Sequence, residues 1–452
     1  MFGLSELRGL YVSRGIATLH PITIVRGKNA RLYADDGTEY IDFTSGIGVV
    51  NLGHCDDELV SVALEQLKKL WHVCFAVAQY EPYVRLAEKL SKNAPTGPRN
   101  KAVLFNSGAE AVENAVKVAK LSTGRPFVIS FLNSFHGRTY LALTATGKYQ
   151  PYKFGLEPFM PNVLHAPYPY CYRCPFKSSY PECGLTCLDY LKRWVFGTQV
   201  SPDRVAAVLF EPVQGEGGFV VPPAEYVREL RSFLDRQGVL LVDDEIQTGI
   251  GRTGKLFAVE HFGVEPDLIT LGKALANGLP ISAVVGRSEL MDAVHPMGLG
   301  TTFGGNPVAA AVACKVLDAI WERRLFERAS RIGEIISARV NQMAERFEIV
   351  GDVRGIGAMR AIELVRDKRT KEPASDTTEA VIEVARRKGL ILLKGGLYGN
   401  VIRLHPPLTI EEELLEEGLN RLEESIGEVQ RRNGNTIERA TCKLKNSGDI
   451  GG

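Results

Sequence analysis

GVLLVDDEIQTGIGRTGK, residues 238–255, admits two competing readings of the fold. Gly249, Gly251 and Gly254 have the G-x-G-x-x-G spacing of a dinucleotide loop, and Gly249 to Lys255 fits the G-x-x-x-x-G-K start of a P-loop. A dinucleotide loop needs its glycines at the strand-to-helix turn, where helix N–H groups meet the pyrophosphate. Here residues 243–248 separate the strand GVLLV from the first glycine, and KLFAVEHFGVEPD (255–267) is too short and too broken by glycine for the helix that should follow. A P-loop places Ser or Thr after its lysine to hold Mg²⁺, and this chain has Leu256. Both nucleotide readings fail on context. What is left is an apolar strand ending on acids, with Asp244 at the C-terminal end, where open α/β sheets put their ligands. Asp244 is either an exposed acid at a strand end or a carboxylate that stabilises a buried cation.

Working outward, short apolar strands alternate with amphipathic helices from about residue 100. KAVLF (101–105), FVISF (127–131), VAAVLFEPV (205–213), GVLLVDD (238–244), DLITL (267–271) and ISAVVG (281–286) read as strands. Helical periodicity marks 57–70, 81–92, 108–121, 225–236 and a long stretch from about 306. The alternation predicts an α/β domain with a mostly parallel sheet. Residues 22–43 read as three short strands joined by turns. After about 310 a long helical region gives way to EIVGDVRG (348–355), MRAIELV (359–365), a helix at 377–388, LILLKGG, NVIRLHPPL (400–408) and a last helix at about 410–430. We therefore expect a large domain over 61–309 and a smaller α+β domain over 310–432, with residues 1–60 belonging to the smaller one. The polar, glycine-rich residues 433–452 read as a poorly ordered tail.

Bulk properties narrow the function. The chain has 452 residues, is 45% hydrophobic and 24% charged, and carries a formal net charge of +1. A near-neutral chain offers no electrostatic argument for nucleic acid or an anionic membrane. There is no run of about 18 apolar residues to span a bilayer. The N-terminus lacks the charged and apolar regions of a signal peptide, so a cytoplasmic location is expected.

A cation for Asp244 is at hand. Lys273, in TLGKALANG (270–278), follows the strand DLITL directly. Lysine is rarely buried unpaired. Desolvation lowers its pKa and frees the amine as a nucleophile, base or Schiff-base former. A lysine reaching solvent at a strand end is the plain alternative. In NSGAEAVENAVKVAK, Ser107 and Glu110 have capping-box spacing, and the helix start at Gly108 is a ready phosphate site.

Eight stretches together carry a family resemblance: YIDFTSGIGVVNLGH (40–54), NSGAEAVENA (106–115), SFHGRT (134–139), EPVQGEGG (211–218), LVDDEIQTGIGRTG (241–254), LITLGKALANG (268–278), TTFGGNP (301–307) and NVIRLHPPL (400–408). In this order, over about residues 15–430, the chain resembles the class III (ω-amino acid) aminotransferases, and within them the 4-aminobutyrate aminotransferases. The resemblance implies fold type I and pyridoxal 5′-phosphate as cofactor. Lys273 would hold the cofactor covalently and shuttle a proton. Asp244 would pair with the ring nitrogen, Gln247 would contact the ring hydroxyl, and Phe135 would stack on the ring. Ser107, Gly108 and Ala109 would hold the phosphate. Thr302 would reach the phosphate of a neighbouring subunit, which implies a homodimer with active sites at its interface.

The resemblance also implies a substrate-binding set. Arg138 would clamp a distal carboxylate, Arg403 would grip the α-carboxylate of 2-oxoglutarate or glutamate, and Glu211 would neutralise Arg403 when an ω-amino substrate is bound. Ile47 would line the pocket. The expected reaction moves an amino group from an ω-amino acid, 4-aminobutyrate first, to 2-oxoglutarate. An ornithine or lysine aminotransferase, or an amino-acid racemase of the same fold, is the alternative; a nucleotide-binding dehydrogenase is a remote one.

Three features depart from the family pattern, the first being GHCDDELV (53–60), which lacks the proline usual after Gly-His. Ala109 stands where Thr or Ser is usual, which leaves only its backbone N–H for a phosphate. CYRCPFKSSYPECGLTC (171–187) falls outside the pattern altogether. Its four cysteines, Cys171, Cys174, Cys183 and Cys187, could hold zinc or an iron–sulfur cluster, form disulfides, or remain free thiols.

Overall fold

A computed structural model describes residues 3–446, with side chains described to residue 432. Its strands are β1 (Ile24–Lys28), β2 (Arg31–Ala34), β3 (Glu39–Asp42), β4 (Asn100–Phe105), β5 (Phe127–Phe131), β6 (Val163–Ala166), β7 (Val205–Phe210), β8 (Leu240–Asp244), β9 (Leu268–Leu271), β10 (Ser282–Arg287), β11 (Val350–Ile356), β12 (Met359–Leu364), β13 (Leu390–Ile391), β14 (Leu393–Gly395) and β15 (Val401–Leu404).

Seven of them form one sheet in the order β4-β10-β9-β8-β7-β5-β6. Strands β5 to β9 pair in parallel, and β10 runs antiparallel to both its neighbours. The expected mostly parallel sheet is present. Every residue of β7 and β8 is buried, as helices on both faces of a parallel sheet require. Side chains alternate along a strand, so Asp243 and Asp244 point to opposite faces. Asp244 takes the face that leads to the site. Burial, with the charges of Glu245 and Asp244 nearby, pushes the Asp243 carboxyl well above its usual range. The edge strand β6 escapes the sequence reading because it has four residues, one a histidine, and pairs on one side only.

Two smaller sheets complete the frame. One runs β1-β2-β3-β13, with Ile41 on β3 beside Leu390 on β13. The other runs β11-β12-β15-β14 and sets Arg403 opposite Ala361 and Leu393. The helical stretch expected from residue 306 is two helices, Pro307–Glu322 and Leu325–Arg346. Arg324, left-handed at φ 53°, breaks the chain between them. Asn306 caps the first by accepting from the N–H groups of Val308 and Ala309. The last helix covers Glu412–Asn446, so it includes residues that the sequence reading gave to a tail; residues 447–452 lie outside the described ones.

The glycine-rich run after β8 is buried, with Gly251 and Gly254 at φ 86° and 91°. Its Arg252 is fully buried and reaches across the molecule. One Nη donates to Asn51 Oδ1 at 2.5 Å, the other to the carbonyl of Pro406 at 2.5 Å. The run therefore ties the main sheet to the N-terminal segment and to the chain beyond β15. Burial lowers the Arg252 pKa to about 9. No described helix is long and apolar enough to cross a membrane.

Candidate active site

β8 and β9 end side by side, with Asp244 in register with Thr270. Beyond their C-terminal ends lies a cavity whose lining includes Gly108, Phe135, Glu216, Asp244, Gln247 and Lys273. Its position is the one expected for ligands of an open α/β sheet.

Asp244 is fixed from several sides. His136 Nδ1 lies 2.6 Å from Oδ2, while the Thr270 hydroxyl and the Ile246 N–H donate to Oδ1 at 3.1 and 3.2 Å. Lys273 begins a short turn two residues past β9, at φ 44°. A lysine held in the left-handed region costs of order 1–3 kcal/mol, a strain that clusters at functional sites. Burial holds its amine below the usual lysine range; Glu216 opposes that shift and Arg403 reinforces it.

The phosphate end is built by the Gly108–Thr123 helix. Ser107 caps it and forms the expected capping box: its hydroxyl accepts from the Glu110 N–H, and Glu110 accepts from the Ser107 N–H at 2.8 Å. Such a cap contributes about 1 kcal/mol, and it leaves the N–H groups at Gly108 and Ala109 without intrahelical acceptors. Glycine is needed at 108, where a Cβ would sit 2.9 Å from Ile246, and at 137, where it would sit 2.7 Å from the Ala109 Cβ.

These residues fit pyridoxal 5′-phosphate. The cavity offers a partly desolvated amine, a buried carboxylate, helix N–H groups and an aromatic ring. Gln247 adds a buried side-chain oxygen with no hydrogen-bond partner. A side chain at Gly215 would meet that oxygen at 2.4 Å, so the backbone there is shaped around Gln247.

The substrate-side expectations fare unevenly. The sequence reading pairs Arg403 with Glu211, and the structure corrects this. Arg403 Nη1 donates to Glu216 Oε1 at 2.5 Å, its Nη2 donates to the Lys394 carbonyl at 3.2 Å, and its Nε is buried without a partner. Glu211 follows β7 directly, and its carboxylate is taken by the N–H groups of Phe135 and Gly215 at 3.2 and 3.1 Å. Burial raises its pKa to about 7. Glu216 lies five residues on, past a turn that brings it under β14 and β15. Both glutamates stand in EPVQGEGG, so the motif contains the right residue, but spacing cannot choose between the two.

Arg138 is exposed, its guanidinium 4.9 Å from the Tyr152 ring, which also packs edge-on against Phe135. Tyr152, His136 and Glu216 are the site residues that sequence reasoning missed. His136 and Glu216 lie inside quoted motifs, whereas Tyr152 carries no local signal. Ile47 is not among the residues lining the cavity; it sits in a left-handed turn at φ 70°, 44% exposed. Thr302 is exposed in the single chain, while its neighbour Thr301 accepts from Asn106 Nδ2 at 2.9 Å.

Of the three forms open to the cysteine segment, the structure has the free thiols. Cys171, Cys174, Cys183 and Cys187 are free thiols, and no group of metal-ligating side chains is arranged to hold an ion among the described residues. Burial pushes the Cys187 thiol up to about 12, which keeps it protonated. The segment is pinned by other means: Tyr170 and Arg173 bind the buried Glu363, and Lys371 Nζ donates to the Tyr172 carbonyl at 3.0 Å.

Comparison with known proteins agrees with this arrangement. The profile of the family "Aminotransferase class-III" matches residues 11–426. The chain is 44% identical to a probable 4-aminobutyrate aminotransferase of Bacillus subtilis, over 93% of this chain and 96% of that one. It is 42% identical to a 5-aminovalerate aminotransferase of Pseudomonas aeruginosa (94% and 98%) and 43% identical to a leucine/methionine racemase of Thermococcus litoralis (91% and 92%). Among solved structures, the ω-transaminase of Pseudomonas jessenii in complex with PMP superposes with a TM-score of 0.90 at 27% identity, covering 96% of this chain and 99% of that one.

Proposed function

Since this chain belongs to the class III aminotransferases, we propose that it carries the amino group of 4-aminobutyrate, or a close ω-amino acid, to 2-oxoglutarate. It is a transaminase of fold type I that uses pyridoxal 5′-phosphate. When bound, that cofactor supplies an electrophilic carbon for the amine and a ring that accepts an electron pair.

The roles of the residues follow from their surroundings. Lys273 Nζ holds the cofactor and, once displaced, takes the proton from the substrate carbon that bears nitrogen. Its lowered pKa keeps the free amine available for that work. Asp244 keeps the ring nitrogen protonated, and His136 orients Asp244 through its 2.6 Å contact. Gln247 meets the ring hydroxyl, Phe135 covers the ring, and the N–H groups of Gly108 and Ala109 bind phosphate with Ser107 beside them. Arg138 receives the distal carboxylate of the donor, and Ile47 borders the entrance. Thr302 completes the phosphate site of a second subunit, in a cytoplasmic homodimer whose protomers each have a large domain and a smaller one.

The observation that carries the two-substrate reading is the Arg403–Glu216 pair. An ω-amino acid has no carboxylate beside its amine, so Glu216 neutralises Arg403. Glutamate and 2-oxoglutarate have one, and a bidentate guanidinium fits it well. The unpartnered Nε of Arg403 adds to that capacity. A racemase handles one class of amino acid and needs no retractable partner for its arginine, which is why we place transamination first.

The test is an amino-donor panel (3-aminopropanoate, 4-aminobutyrate, 5-aminovalerate, ornithine, lysine) with 2-oxoglutarate, scored by glutamate formed. We expect 4-aminobutyrate or 5-aminovalerate to lead, and borohydride to bleach the enzyme and label Lys273. Conversion of one L-amino acid to its D-form without 2-oxoglutarate, with no glutamate from any ω-donor, would overturn the reading.

A further inference from the structure

The Arg403–Glu216 pair raises a question of charge. When a substrate α-carboxylate takes Arg403, Glu216 must release it while still largely shielded from water. A carboxylate that loses its cation in such a site is costly. Some group must receive it.

The cations acting on Glu216 are, in falling order of influence, Arg403, Lys273 and Lys148. Arg403 is the one being vacated. Lys273 is committed to the chemistry. Lys148 is near enough to Glu216 for their charges to act on each other, and it is tied to it through a single residue. Its Nζ donates to the Gly396 carbonyl at 2.7 Å, and the Gly396 N–H donates to the Glu216 carbonyl at 2.9 Å. Gly396 follows β14, whose Lys394 carbonyl already takes Arg403 Nη2. One short stretch of backbone thus holds both cations.

Lys148 also has spare capacity. An ammonium carries three donors, and a backbone carbonyl takes one. Among the described residues Lys148 has no salt-bridge partner, and it is partly buried. Burial lowers its pKa, and Glu216 is the strongest neighbour acting to raise it.

From this geometry we propose that Lys148 is the second seat of Glu216: the carboxylate pairs with Arg403 when an ω-amino acid is bound and with Lys148 when 2-oxoglutarate or glutamate occupies Arg403. Lys148 is a positioning residue that determines specificity for the α-carboxylate substrate without touching it. The proposal rests on the two-substrate reading above. Its physical content is a two-position carboxylate whose balance the substrate shifts by competing for one seat.

The test separates the two half-reactions of the holoenzyme in single-turnover experiments followed by cofactor absorbance. With Lys148→Met, we expect the apparent Kd for 2-oxoglutarate to rise about tenfold or more, as for loss of a charged hydrogen bond. The 4-aminobutyrate half-reaction should change by less than about threefold, so the defect is one-sided. Lys148→Arg should restore most of the loss. In a Glu216→Gln background there is no charge to receive, and Lys148→Met should add no further penalty. An equal loss in both half-reactions, or a penalty of full size in the Glu216→Gln background, would overturn the proposal and leave Lys148 a support for the Gly396 turn. Should Lys148→Met fail to fold, Lys148→Gln carries the same comparison. A wild-type enzyme that accepts 2-oxoglutarate but takes no amino group from 4-aminobutyrate would sink the donor assignment alone, because the 2-oxoglutarate arm still decides the role of Lys148.

Discussion

Two carboxylates, one buried and one partly buried, border the same cavity and are held in opposite ways. Asp244 ends a central strand and is fixed by a histidine, a neighbouring strand's threonine and a backbone N–H. Glu216 lies in a loop, and its side chain is paired with a guanidinium that has other capacity to offer, with the Tyr152 hydroxyl nearby. The first arrangement holds one charge in one place. On the proposed reading, the second lets a charge change partners when the substrate changes, and one pocket would combine a constant electron sink with two kinds of substrate.

The largest expected effect tests the fixed side. Asp244→Asn keeps the Thr270 hydrogen bond but removes the charge, at a cost of about 3–5 kcal/mol, so turnover should fall on the order of 10²–10⁴-fold. Both half-reactions should fall together; a loss confined to one would break the comparison.

Next comes the exchangeable side. Glu216→Gln leaves Arg403 unneutralised, and kcat/KM for 4-aminobutyrate should drop about tenfold while that for 2-oxoglutarate is kept or improves. The ratio of the two values is the readout. Glu211→Gln should leave that ratio unmoved, because Glu211 is bound to backbone N–H groups and does not meet Arg403.

The smallest effect concerns Glu211 itself. Its folded pKa of about 7 lies above the ordinary value of 4.5. The folded state therefore binds the proton more tightly, and this contribution to stability is full below pH 4.5 and lost as pH rises through about 7. Glu211→Gln should flatten the fall in Tm between those values, as followed by thermal melts; an unchanged slope would show that Glu211 is not the group responsible.

Much of this was legible before any coordinates. Six strands of the central sheet and the capping box at Ser107 follow from periodicity and local hydrogen-bond chemistry, which act within a few residues. β6 did not, because a short edge strand with one partner carries little pattern. Nor did the break at Arg324, since nothing in the helical periodicity there calls for a left-handed residue. The cysteine spacing left metal, disulfides and free thiols open, because a ligand set needs converging directions as well as spacing; Tyr170 and Arg173 pin that segment to Glu363.

The sequence by itself determined the chemistry: a carboxylate closing one buried strand, a lysine just beyond the next, a helix start able to hold phosphate. Each is a contiguous pattern whose meaning is local. Only the tertiary structure decided the charge pairing. Arg403 and Glu216 are 187 residues apart, and Glu211, in the same motif, competes for the same role. Which glutamate wins depends on where β15 lies against the turn after β7, a matter of packing between distant segments. For the same reason the glycine run that first suggests a nucleotide proves to be the seat of Arg252, whose partners, Asn51 and Pro406, come from far along the chain.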